Sequence, residues 1–201
     1  MKQIQIIRNN NVVTFEPITI DPTELFFFTN LDPQQPHWPS LITNQLGPAP
    51  SPNSSQAAVP IPSDQTFPFT YTYGCKLHSN ESGTVTVVAQ LQAAQNTTFQ
   101  NATQNQAIVP QPAASGGAPP FQFSGQLFQI VNSSGQIIQQ GSGSIGPGLS
   151  LSTAYDTFGT AVIMVSGTPT VAGTYNFTFS VTDSAQHNLQ QVQYAMTVVS
   201  Q

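Results

Sequence analysis

The chain has 201 residues, 38 % of them hydrophobic, with 17 prolines and 14 glycines: enough apolar content for a core and enough length for one large domain or two small ones. Only 5 % of residues are charged, against roughly 25 % in an ordinary globular protein, and the net charge is −5. Three Lys and Arg residues in all exclude a nucleic-acid partner, which requires many phosphate contacts, and a polybasic patch for anionic lipid.

Helical periodicity is absent. Short alternating or β-branched runs recur between Pro, Gly and Asn, which predicts an all-β protein. In chain order, strands are predicted at 3–8, 12–20, 24–30, 66–73 and 83–88. A Pro/Ser/Asn-rich stretch between His37 and Thr66 reads as a long surface loop. The Gln/Ala/Asn/Thr and Pro/Gly run over 91–118 reads as a linker. Strands resume at 121–130, 136–140, 161–166, 173–183 and 190–199. The expected architecture is therefore a domain over 1–90, a linker over 91–118 and a domain over 119–201.

No apolar run reaches the roughly 20 residues of a membrane span; Leu25-Phe26-Phe27-Phe28 is strand-sized. The first residues lack the apolar stretch of a signal peptide, yet the composition is that of an exported protein. An extracellular or periplasmic location is expected, with any signal peptide removed. Asn-x-Ser/Thr sequons at Asn53, Asn80, Asn96, Asn101, Asn132 and Asn176 fit that location, although a chain this rich in Asn, Ser and Thr forms some by composition alone.

The single cysteine, Cys75, has no partner for an internal disulfide. Three residues on lies His78, in a loop between two predicted strands, so a thiolate and an imidazole can grip one ion from one side. A second histidine must come from elsewhere. His37, just past the strand that ends near Asn30, would lie at the same end of a sandwich. One sulfur and two nitrogen donors suit copper, and zinc accepts the same set. Taken singly, Cys75 reads as a small buried hydrophobe and His37 as a loop residue; their combination points to a metal. His187, after Asp183-Ser184-Ala185-Gln186, reads as a turn residue.

The segments Phe28-Thr29-Asn30-Leu31-Asp32 through His37, and Gly74-Cys75-Lys76-Leu77-His78 followed by Gly83-Thr84-Val85-Thr86-Val87, resemble the cupredoxins over about 12–88. The resemblance extends to the 60–64 turn. It implies a Greek-key β-sandwich binding one copper ion, with His37, Cys75 and His78 as equatorial ligands. Asn30 stands where that family keeps a residue tying the two ligand loops together without touching the metal. Short-loop cupredoxins carry an axial Met three residues after the second His. Here that position is Glu81, and Met1, Met164 and Met196 are not placed to substitute. A carboxylate donor predicts a lowered reduction potential and a more tetragonal site; the alternative is that Glu81 faces water and copper stays three-coordinate. A glycan at Asn80 would crowd the metal, so that sequon is expected to be unused. Trp38 either lines an electron-exit surface or packs over the sandwich end.

In the second half, Ser166-Gly167-Thr168-Pro169-Thr170 and Ala172-Gly173-Thr174-Tyr175, running on to Val181-Thr182-Asp183, resemble the bacterial putative-Ig and cadherin-like repeats, with Gly148-Leu149-Ser150 matching an upstream element. An immunoglobulin-like spacer or docking module is implied. No catalytic triad, paired carboxylates or phosphate-cradling loop appears in the sequence, so no enzymatic role is expected. Asp156 and Asp183 are improbable calcium ligands in a chain with eight acidic residues, and Asp183 is expected to bond its own turn. Two functions follow. One is an exported copper protein for electron transfer or copper handling, its partner a redox protein. The other is an extracellular structural or adhesive, polymer-forming subunit, its partners other copies of itself and the cupredoxin fold only a scaffold.

Overall fold

A computed structural model describes residues 2–41 and 66–201, with the side chains of 40 and 41 excepted. The predicted 37–66 loop, the 60–64 turn and the Asn53 sequon fall largely or wholly outside those residues. All regular structure among the described residues is β-strand, and the chain divides into two units, Met1–Gln90 and Leu91–Gln201. Among the described residues no helix is long and apolar enough to cross a membrane.

The first unit is a sandwich of two sheets. One has the order β2-β1-β4, from β1 (Lys2–Asn9), β2 (Val12–Phe15) and β4 (Phe26–Asn30). The other has the order β3-β7-β6-β5, from β3 (Ile18–Ile20), β5 (Pro39–Leu41), β6 (Phe69–Cys75) and β7 (Ser82–Val87). The pairs β1–β4 and β3–β7 are parallel and the others antiparallel. Period-two alternation turns Ile4, Ile6, Phe26, Phe28, Tyr71, Tyr73, Cys75, Val85 and Val87 into one shared core. Each fully buried side chain of this size contributes about 1.5–3 kcal/mol.

The single strand predicted over 12–20 is instead two. Pro17 cannot donate to a ladder, so pairing stops there and the chain crosses from one sheet to the other. At that crossing Gly83 meets Phe15 so closely that an added Cβ would lie 2.5 Å from the Phe15 Cβ.

The second unit is also a two-sheet sandwich. Its sheets are β13-β14-β10-β8 and β12-β11-β15-β16-β9. The strands are β8 (Gln92–Ala93), β9 (Ala102–Thr103), β10 (Gln111–Ser115), β11 (Gln122–Val131), β12 (Ile137–Ser142), β13 (Leu149–Tyr155), β14 (Ala161–Gly167), β15 (Gly173–Thr182) and β16 (Asn188–Val199). Tyr175, Phe177, Phe179 and Val181 all point inward, as their spacing predicts. Phe99 and Phe179 each stack on Tyr194, with ring centroids 5.5 and 5.2 Å away.

Residues 91–118, expected to be a linker, are part of this second unit. Leu91, Phe99, Ala102, Ala113 and Ala114 are buried in its core. Main-chain bonds run from the Ala94 N–H to the Ala113 carbonyl and from the Phe99 N–H to the Ala195 carbonyl. The Pro/Ala composition misled for a physical reason. Pro112 sits beside a bulge in the β10–β14 register, where its missing N–H is tolerated, and small Ala side chains fill a tight interior. The strand β13 lies outside the predicted strands, because its Ser, Thr and Ala residues read equally well as a loop.

Asp183 bonds its own turn as expected. Its buried carboxylate accepts from the N–H groups of Ala185 and His187, and also from Ala118, 65 residues away. His187 closes the same turn, its Nδ1 lying 2.7 Å from Asp183. Asp156 caps a turn by accepting from the N–H groups of Phe158 and Thr160.

Candidate metal centre

Three of the predicted donors lie at the end of β6 (Cys75) and on the loop that joins it to β7 (His78 and Glu81). That loop is closed by main-chain bonds from the Cys75 N–H to the Glu81 carbonyl (3.1 Å), from His78 to Cys75 (3.3 Å) and from Glu81 to His78 (3.3 Å). These bonds turn the side chains of Cys75, His78 and Glu81 toward one point. The fourth donor, His37, arrives on the segment between β4 and β5. That segment is fastened to the first loop: the Lys76 N–H donates to the Trp38 carbonyl, and the Trp38 N–H donates to Cys75 Sγ at 3.3 Å.

The structure brings His37, Cys75, His78 and Glu81 together, their donor atoms all within 4.8 Å of one another. Cys75 Sγ lies 3.4 Å from His78 Nδ1 and 3.8 Å from His37 Nδ1. Glu81 Oε2 lies 3.2 Å from His78 Nδ1 and 2.8 Å from His37 Nδ1. Four-coordinate nitrogen and sulfur donors at about 2.0–2.3 Å from an ion stand roughly 3.3–3.7 Å apart; the Cys75–His78 edge falls in that range, the Cys75–His37 and Glu81–His78 edges lie within about 0.1 Å of it, and the Glu81–His37 edge is clearly tighter. Donor chemistry and spacing therefore fit copper or zinc. The Glu81 carboxylate faces the two imidazoles, and its side chain is 11 % exposed.

Asn30 organises the His37 loop. Its Oδ1 accepts from the Asp32 N–H at 2.8 Å and its Nδ2 donates to the Gln35 carbonyl at 3.0 Å. The contact on the ligand itself comes from a residue the sequence reading passed over: Asp32 Oδ2 lies 2.8 Å from His37 Nε2, and both side chains are fully buried. Arg8 grips the same carboxylate with two nitrogens, Nη2 to Oδ2 at 2.7 Å and Nε to both oxygens at 3.0 Å. This pairing holds the Asp32 carboxyl well below the ordinary carboxylate range and raises the Arg8 guanidinium. A signal was available: with three cations in the whole chain, an arginine on a strand leading to the His37 end was worth pairing with a nearby acid.

Around the donors the walls are aromatic. Phe15 meets the His37 ring edge-on at 6.5 Å, and Lys76 Nζ sits 5.4 Å from the centroid of Trp38. Burial pushes the Tyr73 phenol, two residues before Cys75 on the same inward face, well above its ordinary range.

No family model matches the chain, and no curated protein matches it. Among solved structures it is similar to Dpr2 Ig1-Ig2, in complex with DIP-Theta Ig1-Ig3. The TM-score is 0.35 with 13 % identity, over 92 % of this chain and 61 % of that one. It is also similar to an endo-fucoidan hydrolase of glycoside hydrolase family 107, with TM-score 0.34 and 12 % identity, over 92 % of this chain and 28 % of the hydrolase. The chain thus spans less than two thirds of either of these structures, and at this level neither bears on the candidate site.

Proposed function

We propose that the first unit is a cupredoxin-type domain holding one copper ion, that it works in electron transfer or copper handling outside the cytoplasm, and that the second unit is an Ig-like spacer or docking module. The observation that carries this reading is the convergence of a thiolate, two imidazoles and a carboxylate from two loops, with the His37 and Cys75 side chains buried. Copper bound there would accept and release one electron. The protein's own part is to hold the donors still. The Trp38 N–H stabilises sulfur charge on Cys75, the closed 75–81 loop fixes three donors together, and His37 is buried beyond the reach of water. His78, with its side chain 30 % exposed, is the donor through which electrons would enter and leave. Four protein donors complete the coordination of a small ion, so we infer no substrate chemistry. Zinc remains the competitor for the same donors.

A structural role is the second reading, favoured by one observation. β12 and β13 are edge strands without a single charged residue, and Ile137 and Ile138 are exposed on the first of them. Uncharged edges lack the usual protection against pairing with another chain.

The test is a titration of the reduced, metal-free protein with Cu(II), followed by optical and EPR spectra and repeated on Cys75→Ser. Saturation at one equivalent with an intense sulfur-to-copper band, absent from the variant, supports the copper reading. No band from a folded protein, with concentration-dependent assembly in its place, supports the structural one.

A further inference from the structure

Asp32 and His37 lie five residues apart on one loop, both with side chains shut off from solvent, and their polar atoms meet at 2.8 Å. The far side of the carboxylate is occupied by Arg8 and by the Gln34 N–H, at 2.9 Å from Oδ1. Arg8 reaches there because β1 and β4 pair in parallel with Ile6 opposite Asn30, which sets Arg8 and Asp32 two residues further along the two chains. Arg8 also donates to Gln35 Oε1 at 3.0 Å, so it clamps the loop at two points. His37 thus has one nitrogen turned to an ionised, arginine-bound carboxylate and the other turned to Cys75 and Glu81.

We propose that Asp32, oriented by Arg8, is a positioning residue for His37: it holds the proton on Nε2, leaves Nδ1 to the metal, and through its charge favours the more highly charged oxidation state of copper. This rests on the copper reading above, but its geometry stands without the ion. An imidazole whose distal N–H faces a carboxylate is a stronger donor with a fixed tautomer and ring orientation. Arg8 opposes part of that effect, because its positive charge draws electron density from the same oxygens. The two residues are therefore expected to act on the metal with opposite sign, whereas a purely structural clamp would fail in the same direction whichever half was removed.

The experiment compares wild type with Asp32→Asn, Arg8→Gln and Arg8→Lys, each checked for a native melting transition, by Cu(II) and Cu(I) affinity and by reduction potential. Asp32→Asn keeps an acceptor but loses the charge. It is expected to weaken Cu(II) binding about 10–100-fold and Cu(I) binding less, raising the potential by about 59 mV for each tenfold of selective loss. Arg8→Gln is expected to lower the potential, and Arg8→Lys to return it toward wild type. Shifts of one sign in both Asp32→Asn and Arg8→Gln, or no shift in either, overturn the proposal. A wild type that binds no copper defeats the copper reading alone. The positioning claim is then read from ring-nitrogen NMR shifts of the metal-free protein with neutral His37. A proton held on Nε2 in wild type, and divided between the nitrogens in Asp32→Ala, supports it; a proton on Nδ1 in wild type overturns it.

Discussion

Oε2 of Glu81 and Nδ1 of His37 approach to 2.8 Å across a gap that both share with Cys75 and His78. The carboxylate is thus a neighbour of both imidazoles and faces away from bulk water. Its oxygen is a harder, anionic donor than sulfur, which makes the behaviour of Glu81 variants diagnostic.

Replacing Glu81 by Gln is expected to raise the reduction potential and to weaken Cu(II) binding more than Cu(I). Glu81→Met is expected to move the optical spectrum toward that of a blue site, with narrower EPR hyperfine splitting. Spectra of both variants unchanged from wild type would show that the carboxylate does not touch the ion.

Metal binding should appear as stability of the first unit. A ligand that binds only the folded state adds about 2.7 kcal/mol at a hundredfold excess over its Kd. The melting temperature of wild type is therefore expected to climb with Zn(II) or Cu(II) concentration, and that of Cys75→Ser to climb much less. Calorimetry with and without a chelator reads the difference.

Gly83 on β7 lies directly against Phe15 on β2, in the other sheet of the first unit. An alanine there places a methyl group 2.5 Å from the Phe15 Cβ and 2.7 Å from its carbonyl oxygen, both main-chain-fixed atoms of a residue buried in the core. Gly83→Ala is expected to cost about 1–3 kcal/mol of overpacking strain. The loss should fall on the first unit's transition and leave that of the second unchanged.

The alkaline limit of the second unit should be set by Tyr194. Its hydroxyl donates to the Ala113 carbonyl at 2.5 Å inside the core, and burial pushes its pKa up to about 12 from 10.0. A raised folded-state pKa means the stabilisation is complete below pH 10 and is lost as pH rises through about 12. Tyrosinate absorbance and circular dichroism are expected to change together in that window. Tyr194→Phe should shift the unfolding to higher pH, unless Tyr175, also raised by burial, takes over.

A fragment that begins at residue 91 is expected to fold, and one that begins at 119 is not. The shorter fragment lacks β10, the strand between β14 and β8, together with the buried side chains of Phe99, Ala113 and Ala114. Far-ultraviolet circular dichroism and amide NMR dispersion of the two fragments decide this directly.

That boundary also shows what sequence could and could not reveal. Cys75, His78 and His37 were legible because soft donors are rare in this chain, and their spacing between predicted strands left few ways to combine them. The strands of β6, β7 and β15 were legible because β-branched and aromatic residues alternate at period two. For Arg8 and Asp32 the scarcity of cations hints at a pair, but the partner depends on the parallel register of β1 and β4, a long-range pairing that no local pattern encodes. The run 91–118 was hidden because alanine is silent about burial: Ala113 and Ala114 look like linker residues and are almost fully enclosed. Pro17 did mark a break, but only the sheet order shows that the chain changes layers there.

The strand directions of the first unit also fix which way it faces. Lys2 reaches the Thr19 carbonyl, and Ile20 pairs with Val87, so β1 begins and β7 ends at the same edge of the sandwich. Arg8 at the close of β1 and Ser82 at the opening of β7 lie at the other edge, beside His37 and Glu81. Six residues of strand at about 3.3 Å each put roughly 20 Å between the two. The chain therefore leaves this unit beyond Val88 at the end opposite the cluster of His37, Cys75, His78 and Glu81. His78, its side chain 30 % exposed, is the member of that cluster most open to solvent.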